Sequence, residues 1–125
     1  MASLSIRIDL SPSLAIGPGK IRLLELIEET GSISAAGRAM KMSYRRAWLL
    51  LDELNHTFHE PVATTALGGR SGGGAKLTPL GKRVVRGYRK MERDAHNAVA
   101  AYLSMVRGAS ITPRRFSASR QKQPR

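Results

Sequence analysis

A chain of 125 residues with 42% hydrophobic side chains suffices for one small domain and a tail. Its formal charge of +12 favours polyanionic partners, nucleic acid first and an anionic membrane surface second. The lack of cysteine excludes disulfides and thiolate chemistry, and no apolar run approaches the ~18 residues that span a bilayer.

The N-terminus MASLSIRIDL lacks the basic start and long apolar core of a secretory leader. A cytoplasmic, nucleoid-associated protein without a membrane partner is therefore expected. Leu4, Ile6, Ile8 and Leu10 alternate with polar residues, which predicts a strand over Ser3 to Leu10 with one buried face. Ser11 to Gly19 reads as a loop broken by Pro12, Gly17 and Pro18. A helix follows from about Lys20 to Glu29, with Ile21, Leu24 and Ile27 facing the core and Leu23 and Leu26 beside them. Gly31 suits the left-handed position just past its end.

Gly31 to Phe58 reads as a helix-turn-helix. Ser32 is the expected N-cap of a short helix to about Met40, in which Ala35, Ala36 and Ala39 let a second helix approach. Lys41 and Met42 make the turn, and Ser43 caps the second helix. Ala47, Leu50, Leu51, Leu54 and Phe58 form its buried face, and Pro61 stops it. Its first turn carries Tyr44, Arg45 and Arg46. In helix-turn-helix proteins that turn meets base edges, and arginine pairs bidentately with guanine. The competing reading is two packed helices of another helical domain with a basic first turn.

Val62 to Leu67 and a return from Ala75 to Leu77 predict a hairpin around the glycine-rich GGRSGGGA, a wing with Arg70 and Lys76 as its cations. A nucleotide loop is excluded, because the GxxxxGK[ST] pattern is absent and the loop feeds no helix. Thr78-Pro79 caps a last helix to about Val106. Val84, Tyr88, Met91, Ala95, Ala98, Tyr102 and Met105 recur on it at heptad spacing, the pattern of a homodimer seam. The rival is an amphipathic helix folded back on its own domain. Lys82, Arg83, Arg86, Arg89, Lys90 and Arg93 crowd its first half, as a solvated face or as phosphate contacts. After Val106 come six basic residues and no acid, which leaves fifteen basic against nine acidic side chains in the body. The expected division is a folded domain over 1–106 and a basic, disordered tail over 107–125.

The predicted fold is mainly α with a small β-wing, a winged helix-turn-helix with a long C-terminal dimerisation helix. GGRSGGGAKLTPLGKRVV (68–85) and SYRRAW (43–48) resemble the DNA-binding domain of ModE-type molybdate-responsive regulators. GSISAAGRAM (31–40) is similar to these and, more loosely, to LysR-type domains. The resemblance covers about residues 3 to 106. It implies a dimeric transcription factor on a palindromic operator in double-stranded DNA. Ser43, Tyr44, Arg45 and Arg46 would read or flank bases, and Ser34, Lys41, Arg70 and Lys76 would hold the backbone. Such proteins continue into C-terminal oxyanion-binding domains, whereas this sequence stops at Arg125, so molybdate binding by that route is not expected. The alternatives are an accessory subunit heterodimerising with a longer family member and a sequence-blind DNA-coating protein. No catalytic constellation, cofactor motif or metal site is expected. His56 and His59 read as helix-end residues and Trp48 as a residue at the core's edge.

Overall fold

Closely spaced aliphatic side chains make the centre of the fold. Ile21, Leu23, Leu24, Leu26 and Ile27 are all buried in helix α1 (Pro18–Thr30). The helix begins earlier than Lys20, because Pro18 fits the first turn, where a missing N–H forfeits no helical bond. Gly31 ends it in the left-handed region at φ 71°, and its N–H donates to the Ile27 carbonyl at 2.8 Å. The structure, a computed structural model, describes residues 3–66 and 74–110. They fall into two units, one of residues 5–92 and one in which 93–110 join 3–4.

The expected N-terminal strand is displaced. β1 (Ile8–Ser11) pairs antiparallel with β2 (Leu14–Ile16), which lies in the stretch predicted as loop. Ser11 Oγ accepts from the N–H groups of Ser13 and Leu14 at 3.3 and 3.2 Å and so closes the turn around Pro12. The register slips between Asp9 and Ser11, and Leu10 is exposed instead of buried. A bulge breaks strict alternation in this way.

Helices α2 (Ile33–Ala39) and α3 (Tyr44–Asn55) form the helix-turn-helix. α3 stops at Asn55, short of Pro61, so Phe58 lies beyond the helix, although it still packs against the core. β3 (Ala63–Thr65) and β4 (Ala75–Leu77) pair antiparallel as the base of the wing. Ala63, Ala75 and Leu77 face the core, and the Ala75 N–H donates to the Gly31 carbonyl at 2.9 Å. Leu67, Arg70 and the glycine-rich tip lie outside the described residues, as does the tail from residue 111.

Thr78 caps helix α4 (Pro79–Ala98), its hydroxyl accepting from the Gly81 N–H at 3.0 Å. Any Cβ at Gly81 would collide with the Val62 carbonyl oxygen, so glycine is what lets α4 start against the wing. The single long helix expected to about Val106 is not formed. Val99 leaves helical geometry at φ −108° and ψ 11°, and α5 (Ala100–Ala109) follows. The heptad seam divides before that break, between Met91 and Ala98. Tyr88 is buried, its hydroxyl donates to the Ile6 carbonyl at 2.6 Å, and Val84 and Met91 pack against the same core. In the second unit Ala98, Tyr102 and Met105 are exposed.

Glu25 on α1 accepts two bonds from Arg89 on α4, from Nε at 2.9 Å and from Nη2 at 2.8 Å. The Arg89 guanidinium holds the Glu25 carboxyl below its ordinary value, against the opposing effect of burial. Unfolding returns Glu25 to the ordinary carboxylate range. The pair's contribution is therefore complete above that range and is lost as pH falls through it to the lowered folded value. Glu25→Gln is expected to cost roughly 1–2 kcal/mol at neutral pH. That margin should shrink towards pH 3, which denaturant midpoints of both proteins at the two pH values will show.

Candidate nucleic-acid interface

Local hydrogen bonding sets up the helix-turn-helix. The Ser32 hydroxyl accepts from the Ala35 N–H at 3.0 Å and the Ser43 hydroxyl from the Arg46 N–H at 3.1 Å, so both expected caps are formed. Between them the Met42 N–H donates to the Gly37 carbonyl and the Lys41 N–H to the Arg38 carbonyl, both at 3.0 Å. These two bonds make a Schellman turn with Lys41 in the left-handed position at φ 59°. Lysine is strained there by about 1 kcal/mol where glycine would not be.

The two helices meet most closely at Gly37, where an added Cβ would come within 3.1 Å of the Ala47 Cβ. Of the small residues expected to allow that approach, Ala36 is buried, Ala35 half-buried and Ala39 exposed. Gly37 makes the contact instead. Ala47, Leu51 and Leu54 are buried and Leu50 partly so, which fixes how α3 is rotated. At about 100° per residue the opposite face carries Arg45, Leu49 and Asp52, with Trp48 beside them. Tyr44, Arg45 and Arg46 are exposed at the leading end. Arg46 lies on the flank, where it lines an open depression with Arg7, Lys20, Met40 and Met42.

Charge pairing separates the cations into two sets. Arg7 pairs with Asp9, Lys20 with Glu53, Arg22 with Glu25 and Glu29, and Arg89 with Glu25 and Glu92. Among the described residues no carboxylate pairs with Lys41, Arg45, Arg46 or Lys76. Lys76 is exposed on β4 opposite Thr64 and lines a second depression at the wing base with Thr65 and Gly31. The Ser34 hydroxyl accepts from Arg38 Nη1 at 2.9 Å, which adds Arg38 to the cations of α2. His56 caps the end of α3, its Nδ1 2.8 Å from the Asp52 carbonyl oxygen.

Two features were not anticipated. Asn55 joins α3 to the wing: its Oδ1 accepts from the N–H groups of Val62 and Ala63 at 2.8 and 3.2 Å, and its Nδ2 donates to the Ala63 carbonyl at 3.1 Å. No sequence signal distinguishes this Asn from a helix-end residue. The other is Leu49, a large aliphatic residue 55% exposed on the outward face, beside Trp48 at 39%. The rotation of α3 implied by Ala47, Leu51 and Leu54 could have placed them.

No family model matches the chain. It is 39% identical over 107 residues to the molybdenum transport protein ModE of Azotobacter vinelandii, an alignment covering 83% of this chain and 40% of that protein. It is 38% identical over 87 residues to the molybdenum-pterin-binding protein MopB of Rhodobacter capsulatus, covering 70% of this chain and 32% of that one. It is 34% identical over 87 residues to the DNA-binding transcriptional dual regulator ModE of Escherichia coli K12, covering 70% and 33%. The chain thus spans two fifths or less of the length of these curated relatives.

Lys41→Gly is expected to stabilise the domain by about 0.5–1 kcal/mol by relieving the left-handed strain. A rise in urea midpoint with an unchanged slope will check this.

Proposed function

We propose that this chain, a relative of the ModE-type proteins over the segment it shares with them, binds duplex DNA sequence-specifically as a homodimer on a palindromic operator and regulates transcription. The observation that carries the reading is the leading end of α3, exposed and with Arg45 and Arg46 free of carboxylate partners among the described residues. Its neighbour Lys41 supports the same reading. A lysine kept where glycine would be unstrained is accounted for by what its charge does outside the fold. Arg45, central on the outward face, is the base reader. Arg46 on the flank, Ser34, Lys41 and Lys76 hold phosphates, and Arg70 is assigned to the backbone from its place in the wing sequence. Ser43 and Tyr44 flank the bases.

The dimer contact falls on the second half of the seam. Val84, Tyr88 and Met91 are committed to the domain's own core, which leaves Ala95, Ala98, Tyr102 and Met105, with Val106 beside them, to meet a second copy. Exposed aromatic and aliphatic side chains at these positions support it.

Selection of bound sites from random duplexes tests the reading, with a palindromic consensus expected and a specificity ratio near one refuting it. On the selected site Arg45→Ala should lose about 1–3 kcal/mol at one operator position. Lys76→Ala should weaken all sequences alike and reduce the salt slope by about one unit. Paired Tyr102→Asp and Met105→Asp should convert the protein to a monomer in sedimentation. Palindrome affinity should then fall by on the order of tenfold or more, with binding to an isolated half-site unchanged.

A further inference from the structure

We propose that Trp48 and Leu49 read thymine methyl groups, so that each half-site carries thymine beside the base taken by Arg45; this rests on the DNA-binding reading above. Among the described residues the large exposed hydrophobic side chains are few, and Tyr44, Trp48 and Leu49 fall close together on α3. Tyr44 is 52% exposed, Trp48 39% and Leu49 55%, and none is among the buried residues of the core cluster. Single exposed apolar residues need no explanation, but Trp48 and Leu49 flank Arg45 one turn on, at about 60° and 40° to either side of it, and so share its outward side. Lys41, Arg45 and Arg46 stand at the same end of α3 without carboxylate partners among the described residues. That charge selects a polyanion as the occupant of this face. In the major groove of duplex DNA the apolar group presented at base edges is the thymine C5 methyl. Arg45 supplies the hydrogen-bonding contact, and Trp48 and Leu49 one turn further supply apolar ones. Asp52 follows on the same face, and phosphate repels its carboxylate, which confines the groove contact to the first two turns.

The test uses the full chain and the site selected from random duplexes. Each thymine is replaced in turn by deoxyuridine, which keeps the pairing edge and lacks only the methyl. At one or two positions per half-site the wild type should lose about fourfold in affinity, the value for one methyl-sized group removed from water. Leu49→Gln and Trp48→Ala should each bind thymine and deoxyuridine equally at their own position. Leu49 is more than half exposed, so the unfolding midpoint of Leu49→Gln should stay near the wild-type value, and Trp48→Ala is compared below its own midpoint. A selected consensus at which wild type tolerates deoxyuridine everywhere, or a methyl dependence undiminished in both variants, overturns the proposal and leaves operator binding standing. This face would then be open to a protein partner. Failure to select any consensus removes the DNA-binding reading and this proposal together.

Discussion

The amide of Asn55 holds the two halves of the proposed interface together. It is the last residue of α3, and it bonds both N–H and C=O groups at the start of the wing. Val62, whose N–H it satisfies, is fully buried, so that backbone group has no recourse to water. The carbonyl of the same Val62 accepts from the Thr78 N–H and lies against Gly81. One short backbone segment therefore registers α3, the wing and the start of α4. A side chain at Gly81 or an apolar residue at position 55 would disturb all three, because packed interiors move as units.

Electrostatics act on two scales in this molecule. Near the core, Glu25 and Arg89 tie α1 to α4 in a partly buried, doubly hydrogen-bonded pair, the arrangement in which an ion pair contributes most. Of the other carboxylates, Asp9, Glu29, Glu53 and Glu92 pair with Arg7, Arg22, Lys20 and Arg89. With few acids to distribute, their placement decides where the excess charge is felt. Among the described residues Lys41, Arg45, Arg46 and Lys76 have no carboxylate partner, and unpaired cations of this kind speed the encounter with a polyanion before any contact forms.

The heptad repeat illustrates how one periodic signal serves two purposes. Tyr88, Val84 and Met91 obey the same spacing as Tyr102 and Met105, yet the first set is committed to the home core and the second is exposed. Both readings of that helix, a seam for a second copy and an amphipathic helix folded back on its domain, rested on the same residues. Spacing states that a face is apolar, and it says nothing of what covers it. Val99 departs from helical geometry just after Ala98, and the sequence there contains neither proline nor glycine to announce it.

What the sequence determined by itself is everything carried by near neighbours along the chain. Ser32, Ser43 and Thr78 cap their helices, Gly31 takes the left-handed end of α1, Lys41 turns α2 into α3, and Ala47, Leu51 and Leu54 point inward. Each depends on hydrogen bonds or periodicity within a few residues. Tertiary structure alone decided that β2 forms within an apparent loop, that Gly37 and Gly81 are the points of closest approach, and that Asn55 grips the wing. It also decided that the seam divides. These outcomes depend on which residues beyond the next helical turn arrive opposite a given group, and hydrophobic periodicity holds no record of that.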